Sequence, residues 1–504
     1  MDVSHIKAFF CKKKYLIILS FILLLAGFVR LYQIESKMRF IWDEGRDMMA
    51  IRKIIAKKDL TLFGPYNELG TEKDFFGVFH YYLMLPWLWL ADFNPVGSAI
   101  FTATLGIISV ALVYQLLSMW SDKKLALAVA AVYALSPVVI KYVIWPWNPN
   151  TMPFFGLIYL IFLRKFFEKP TLLWTGLAGL TLGLLFQLHY FSVALVVPWI
   201  LMMIWKKRKQ VENLSFFIFH PILFACMFLL ANINFLLFDL THQGFYFKIL
   251  KESLIGNSSP KLINFVLQNI IFSPFTFTNQ TFAKLLAISE QFTWPITIAF
   301  LGYGFIKIKE FINNNYLQLE TMVVGGWLGL MILIGMMPTL SNDYYGSYLW
   351  FGLLMIIIKG LFKASAHHGH RFIFTIAGVL FCVKLLVSID LFRQPTWQEN
   401  MPLVRQLSGV VAKDALSQTR SLNIASLSDS DTRATRYRYF LDVDGIKPLG
   451  IDDYSQSKIL YVISPHDAEK SRQNSAWEIS TFTTYQWQLL DSIGGANVFK
   501  VEKD

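Results

Sequence analysis

Apolar residues dominate this chain in long runs that are separated by short polar connections. Most runs approach the roughly 20 residues that an α-helix needs to cross a bilayer. The pattern therefore predicts an α-helical polytopic membrane protein with about eleven transmembrane helices. The predicted spans are residues 15–33, 97–119, 124–142, 152–167, 172–189, 191–205, 215–238, 292–308, 320–338, 346–362 and 372–390.

Basic residues divide the short connections between two sides. Cytoplasmic loops carry an excess of Lys and Arg, so the side with the basic clusters is expected to be the cytoplasm, together with the N-terminus. We expect an integral protein of the plasma (inner) membrane. The opposite short loops, 145–150, 189–190 and 338–345, contain no Lys or Arg. The basic clusters are Lys12–Lys14, Lys123–Lys124, Arg164–Lys165, Lys206–Lys209, Lys307 with Lys309, and Lys363 with Arg371.

The first outer loop, residues 34–96, contains two further helical patterns. Between Gly45 and Lys58 the apolar residues share one face and the basic residues the other, which is typical of a helix that lies on a membrane surface. The segment Phe75–Leu90 is apolar and rich in aromatic residues, but it contains Pro86. A crossing here would invert every later loop, so we expect an interfacial or re-entrant helix instead.

Two other regions are expected outside the membrane. Residues 239–291 are predicted to form a later outer loop, with a turn at Gly256–Pro260, which is a candidate lid over a site. Residues 391–504 have an ordinary soluble composition. They contain strand-like runs at 422–427, 459–463 and 498–501 and a helical pattern at 401–416. The chain is therefore divided into a transmembrane domain, 1–390, and a small extracytoplasmic α/β domain, 391–504.

Composition supports this class and excludes others. The chain is 55% hydrophobic and 16% charged, with a net charge of +12. The basic residues cluster between spans, so the charge indicates topology and contact with anionic membrane lipids, with no nucleic acid as a partner. The three cysteines lack metal-site or CxxC spacing.

The candidate chemistry is concentrated on the outer side. Asp43 and Glu44 follow directly on the first span, where an ionised group is costly unless it is paired, hydrated or used. Amides, carboxylates and aromatic rings in several outer loops suit a carbohydrate, because its hydroxyls need hydrogen-bond partners and its ring faces pack on aromatic rings. A solvated loop with an aromatic belt is the structural alternative. The candidate substrate-binding residues are Arg46, Glu72, Lys73, Asp74, His80, Tyr81, Tyr82, Asn148, His189, Tyr190, Asp343, Tyr344 and Tyr345.

The order of these motifs resembles a known family. An Asp-Glu pair after the first span, an amphipathic helix, and then Phe76-Gly77-Val78-Phe79-His80-Tyr81-Tyr82-Leu83 are similar to the glycosyltransferases of the GT-C fold that use polyprenyl-phosphate sugars. The protein O-mannosyltransferases and aminoarabinose-lipid A transferases of glycosyltransferase family 39 are the most similar branch. The chain departs from their pattern at Phe76–Val78, where His-Pro-Pro is frequent, and it lacks a basic residue near Trp145 in sequence.

This resemblance implies a mechanism. The sugar would pass from a polyprenyl-phosphate donor to a lipid, glycan or protein acceptor by an inverting displacement, with Asp43 as the base. Glu44 would orient the acceptor or hold Asp43. A divalent cation bound by Asp43 and Glu44 is a further option, and no other cofactor is implied.

Other classes remain open from the sequence. A lipid-linked oligosaccharide ligase or polymerase shares this substrate chemistry. A transporter or flippase would also be polytopic, but the chain shows no duplicated halves. A noncatalytic membrane scaffold is the third alternative.

Overall fold

The computed structural model describes residues 3–58, 60–65, 76–209, 213–248, 261–336, 342–367, 371–389, 400–428 and 430–503. Within 3–12, 261–271 and 371–374 it describes the backbone alone.

Each predicted span coincides with one or more helices. The helices of the membrane part are α1 (Val3–Leu31), α2 (Ile34–Lys37), α3 (Trp42–Lys57), α4 (Phe79–Leu90), α5 (Val96–Ser118), α6 (Lys123–Leu135), α7 (Pro137–Val143), α8 (Met152–Glu168), α9 (Leu172–Leu188), α10 (Val196–Arg208), α11 (Leu214–Ala231), α12 (Ile233–Thr241), α13 (Lys261–Leu286), α14 (Glu290–Asn314), α15 (Leu319–Met336), α16 (Trp350–His367) and α17 (Arg371–Ser388). Short 3-10 turns lie at Asn148–Thr151, Tyr190–Leu195 and Asp343–Leu349.

The number of crossings stays a prediction. Among the described residues, six helices are long and apolar enough to cross a membrane, or up to eight if each of two bent pairs is one span. The remaining predicted spans correspond to helices of fewer than 18 residues or to the partly described α17. The chain is nevertheless an integral membrane protein by the length and hydropathy of these helices.

At each bent pair, a cationic side chain donates hydrogen bonds to main-chain carbonyl groups at the break. Helices α6 and α7 meet at 62° where Pro137 interrupts the helix, and the Arg30 guanidinium donates to the Ala134 carbonyl at 2.9 Å. Residues 272–286 of α13 meet α14 at 114°, and Lys384 Nζ donates to the Leu286 and Ala287 carbonyls. Carbonyls freed at a helix end need partners, above all where water is excluded.

The region predicted as a later outer loop, 239–291, is largely helical, which corrects that expectation. Its polar residues suggested a loop, but in α13 Thr278 and Thr281 donate to the carbonyls four residues earlier. Hydroxyls bonded in this way are compatible with a helix. The predicted turn at 256–260 lies outside the described residues.

The C-terminal α/β domain is confirmed. It contains α18 (Met401–Ala415), β1 (Leu422–Ser426), α19 (Thr435–Val443), β2 (Ile459–Ser464), α20 (Ala468–Arg472), α21 (Trp477–Ser480), β3 (Trp487–Ile493) and β4 (Ala496–Glu502). The sheet order is β1-β2-β4-β3, with β1 parallel to β2 and the other pairs antiparallel. Sequence patterns missed α19, α20, α21 and β3. The boundary proposed at 390/391 lies next to residues that the structure does not describe.

The apolar face of helix α3 was predicted to lie on a membrane surface, and this prediction is wrong. Its apolar residues Met48 and Ile51 are fully buried, and they share one hydrophobic core with α4 and with α18, α19 and the sheet of the C-terminal domain. The apolar face is covered by protein, so α3 does not rest on a membrane surface through that face. The second helix of the first outer loop forms at Phe79–Leu90, within the predicted segment.

Candidate active site

The two acids after the first span lie in the first turn of α3. Ile41 is extended and precedes the helix, and the Glu44 carboxylate accepts a hydrogen bond from the Ile41 N–H at 2.8 Å. Such a bond satisfies one of the backbone donors that a helix start leaves unpaired, and acids are favoured there by the helix dipole. The local sequence thus fixes where Asp43 and Glu44 lie.

Asp43 is part of a buried charge chain. Arg46 Nη1 lies 3.0 Å from Asp43 Oδ1, and Arg46 Nη2 lies 2.8 Å from Asp47 Oδ1. Asp47 is fully buried, whereas 14% of the Asp43 side chain is exposed. One guanidinium therefore joins two carboxylates, and Asp43 is the member with access to a substrate. The sequence analysis did not include Asp47 among the site residues, although its spacing of four from Asp43 places both on one helix face.

The aromatic segment of α4 meets this chain at Asp47. The Tyr81 hydroxyl donates to Asp47 Oδ1 at 3.2 Å, and His80 Nε2 lies 3.7 Å from Asp47 Oδ2. His80 and Tyr81 were expected near Asp43 and Glu44; their contacts are with Asp47, which Arg46 links to Asp43. Tyr82 instead donates to the Thr61 carbonyl at 2.7 Å, away from the acids.

Glu44 contacts a tryptophan and is not exposed to solvent. Its side chain is fully buried, and its second oxygen accepts a short hydrogen bond from the Trp145 indole N–H. Trp145 stacks on Trp147 with ring centroids 4.5 Å apart, and the Arg39 guanidinium lies 4.5 Å from the Trp145 ring. Arg39 thus supplies a basic neighbour of Trp145 in space, whereas the loop 145–150 itself contains no Lys or Arg.

A second group of residues near Asp43 comes from the loop before α16. Asp343 accepts from the Tyr142 hydroxyl at 2.7 Å, and it lies 2.9 Å from Lys284 Nζ. Tyr344 packs edge-on against Trp147 at 4.7 Å and lies within electrostatic range of Asp43. Residues from α3, α7, α13 and the loops 145–150 and 342–349 therefore converge. Lys284 and Tyr142 were not anticipated, because they are far from the acids in sequence, and Arg39, four residues before Asp43, was not singled out.

The other predicted site residues either pack between the loops of this region or lie outside the described residues. His189 packs on Tyr345 with centroids 4.6 Å apart. Asn148 donates to the Leu188 carbonyl at 2.7 Å, which joins two loops. Tyr190 stacks on Phe76 at 5.3 Å. Glu72, Lys73 and Asp74 lie outside the described residues.

Burial shapes the titration of the acidic pair. Burial raises the pKa of Asp43 to about 6, against the opposing attraction of Arg46. Burial and the neighbouring charge of Asp43 raise the pKa of Glu44 to about 8. Burial lowers the pKa of His80 to about 4, so its imidazole is neutral at pH 7. A carboxylate whose pKa is near 6 is ionised at neutral pH but still basic enough to accept a proton.

Within the described part of the chain, Asp43 and Glu44 are engaged by other partners and are not arranged as ligands of a divalent cation. Asp43 contacts the Arg46 guanidinium, and both Glu44 oxygens accept hydrogen bonds from N–H groups. Among the described residues, no three His, Cys, Asp or Glu side chains lie together as metal ligands would.

Known structures identify the architecture. No protein-family model and no curated protein matches the sequence. ArnT from Cupriavidus metallidurans bound to undecaprenyl phosphate is similar over 97% of this chain and 98% of its own, with 10% identity and a TM-score of 0.58. The Archaeoglobus fulgidus oligosaccharyltransferase in complex with Zn and sulfate is similar over 89% of this chain and 67% of its own, with 13% identity and a TM-score of 0.51.

The chain has the GT-C fold. This confirms the fold that the motif order of the sequence predicted. At such low identity the shared property is the GT-C fold alone.

Proposed function

We propose that this protein is a membrane glycosyltransferase that moves a sugar from a polyprenyl-phosphate donor to a lipid, glycan or protein acceptor. The observation that carries the proposal is Asp43, a partly exposed carboxylate at a helix start that is paired with Arg46 and close enough to Tyr344 to interact electrostatically with it. The GT-C fold supports it, since ArnT is an aminoarabinose-lipid A transferase whose structure contains undecaprenyl phosphate.

The chemistry is a single inverting displacement. The acceptor oxygen or nitrogen forms a bond to the anomeric carbon, while the bond from that carbon to the phosphate oxygen breaks and polyprenyl phosphate leaves with the electron pair. Asp43 takes the acceptor proton. Arg46 keeps the pKa of Asp43 from rising further, so the carboxylate is ionised before the reaction.

The other residues of the site are suited to bind the sugar and the phosphate of the donor. Trp147 and Tyr344 offer ring faces and edges on which a sugar can pack. The leaving phosphate needs cations or hydrogen-bond donors. Lys284 is suited to this because 48% of its side chain is exposed and it pairs with one carboxylate, that of Asp343, whereas Arg46 is largely buried and pairs with two.

The assay uses purified protein in nanodiscs with a panel of polyprenyl-phosphate sugars. Mass spectrometry of glycolipids and glycoproteins from cells with and without the gene identifies the acceptor. We expect a sugar-modified product and free polyprenyl phosphate. Movement of an intact lipid-linked sugar across the bilayer without transfer would indicate the flippase class instead, and joining of preassembled oligosaccharides would indicate the ligase class.

We infer that the N-terminus is cytoplasmic and that the active site and C-terminal domain face the outer side of the plasma (inner) membrane. The basic loop clusters support this orientation. In a variant whose native cysteines are replaced, Ser417→Cys offers an exposed probe in the C-terminal domain. We expect a membrane-impermeant maleimide to label it from outside in intact cells. Labelling only after the cytoplasmic face is opened would reverse the topology.

A divalent cation at Asp43 and Glu44 is a separate proposal to test. The geometry favours Arg46 as the charge partner of Asp43, since its guanidinium already occupies that carboxylate. We therefore expect sugar transfer to persist in excess EDTA at less than about a twofold loss. A complete loss that added Zn²⁺ or Mg²⁺ restores would show that Asp43 and Glu44 rearrange around a metal.

A further inference from the structure

Helix α3 lies between the membrane domain and the C-terminal domain. On one side Glu44 bonds Trp145, and the Ser98 hydroxyl contacts the Met48 sulfur at 3.8 Å. On the other side α3 packs along α19, within one shared core. The position of Asp43 therefore depends on both domains.

The contact with α19 is closest beside the acids. A Cβ atom on Gly45 would lie 2.6 Å from Arg436 Cα and 2.8 Å from Arg436 N. Both are main-chain atoms, which cannot rotate away as a side chain can. Glycine is required here because the two helix backbones approach so closely, directly between Glu44 and Arg46.

A second contact lies two turns further along. Arg52 Nε lies 2.7 Å from Asp442 Oδ2, and Arg52 Nη2 donates to the Asp442 carbonyl at 3.0 Å. The seven residues from Gly45 to Arg52 rise about 10 Å, and the six from Arg436 to Asp442 rise about 9 Å. The two helices thus run side by side in the same direction between these contacts.

A third contact fixes the entry to α3. Phe40 is fully buried and packs on Tyr439 and Phe440 of α19, with centroids 5.9 and 5.4 Å apart. Arg39 also forms an isolated antiparallel bridge to Asn400 at the start of α18. Contacts before, at and after the first turn of α3 all come from the C-terminal domain.

We propose that the C-terminal domain positions the active site, which rests on the sugar-transfer function proposed above. Gly45, Arg52 and Asp442 are positioning residues. The Gly45–Arg436 contact sets the distance between α3 and α19. The Arg52–Asp442 pair fixes how α3 is rotated about its axis and how far it is shifted along that axis. Together these contacts orient Asp43 and Arg46 toward the substrates. The domain acts on the transfer step through α3 and need not touch the sugar.

Charge reversal tests the pair. Arg52→Asp and Asp442→Arg each place like charges together, and we expect each to lower kcat on the order of tenfold, because small displacements of reacting groups have large effects on rate. Donor affinity should change less than about twofold. The double variant should recover most of the lost kcat. Arg420→Glu is the matched control: Arg420 pairs with Glu502 at 2.6 Å on the same domain, far from α3, and its loss should leave kcat unchanged.

Gly45→Ala tests the close approach. We expect about a 10²-fold loss of kcat, since the added methyl must displace α19 or α3. Gly409→Ala is the matched control, because Gly409 lies on α18 with nothing within 4 Å of its added Cβ. Full kcat in Gly45→Ala, or no recovery in the charge-swapped double variant, would overturn the proposal.

Melting temperatures separate this inference from the proposed function. If the wild-type protein transfers no sugar, the double-mutant cycle at Arg52 and Asp442 still measures whether the pair couples the domains, because the swap should restore the melting temperature that each single variant lowers. If the wild-type protein is active and kcat falls only in proportion to the folded fraction, the contacts stabilise the fold without positioning the site, and the inference fails.

Discussion

Asp43→Asn is expected to lower sugar transfer about 10²- to 10⁴-fold, the usual effect of losing a positioned base. Asparagine keeps the shape of the side chain but removes its charge and basicity. Because Asp43 is the partly exposed end of the charge chain and Arg46 keeps Asp47 as a partner, the melting temperature and donor affinity should stay close to those of the wild-type protein. Transfer rate and donor binding are measured on the same nanodisc sample.

Two matched variants interpret that result. Asp92→Asn changes an exposed carboxylate just after α4 and should leave transfer unchanged. Glu44→Gln should act more mildly than Asp43→Asn. An amide can accept from only one of the two N–H groups that Glu44 now satisfies, so stability falls by about 1–3 kcal/mol while the base remains. Near-normal transfer by Asp43→Asn would remove the base assignment and leave Glu44, Glu72 and Asp74 as the next carboxylates to examine.

Arg46→Gln is expected to lower transfer at pH 7 by at least about tenfold and to recover in part at higher pH. Arg46 is the largest influence that lowers the pKa of Asp43. Without it the pKa rises above 6, and each further unit above the assay pH reduces the ionised fraction about tenfold. Raising the pH removes the proton from Asp43 and restores the base.

The pH profiles distinguish these two variants. The wild-type rate should fall below about pH 6, where Asp43 becomes protonated, and the inflection should move to higher pH in Arg46→Gln. Asp43→Asn should stay inactive throughout. An unchanged inflection in Arg46→Gln would show that the titrating base is another residue. Since the substitution also leaves Asp47 buried without its cation, the melting temperature is recorded alongside, and the protein is expected to lose about 3–5 kcal/mol of stability.

The sequence was sufficient for the features that depend on local pattern. Apolar runs located the helices of the membrane domain because each helix must satisfy its own main-chain hydrogen bonds in lipid. The acids at the start of α3 were found from their position after the first span, and three of the four strands of the C-terminal domain, β1, β2 and β4, from their apolar runs. The extent of α13 was missed because hydroxyl groups that bond within a helix look like loop residues in sequence.

Long-range contacts were beyond local pattern. Nothing near Trp145 in sequence indicates Arg39, and nothing near Asp343 indicates Lys284, because folding brings these groups together from distant helices. The apolar face of α3 could be predicted from its sequence pattern. The helix that covers this face, α19, lies almost 400 residues away, so the sequence pattern favoured a membrane surface as the partner. Asp47 could have been found, since it lies one helical turn from Asp43 and contacts the same guanidinium.

The most direct measurement of the central claim is a single-turnover experiment. Wild-type protein and Asp43→Asn are loaded with the same polyprenyl-phosphate sugar in nanodiscs, and bound donor is quantified before the acceptor is added. Mass spectrometry then follows the sugar product and free polyprenyl phosphate over time. We predict that the wild-type protein converts its bound donor to a product of inverted anomeric configuration, while equally loaded Asp43→Asn retains its donor. Equal conversion rates in the two proteins would contradict Asp43 as the base.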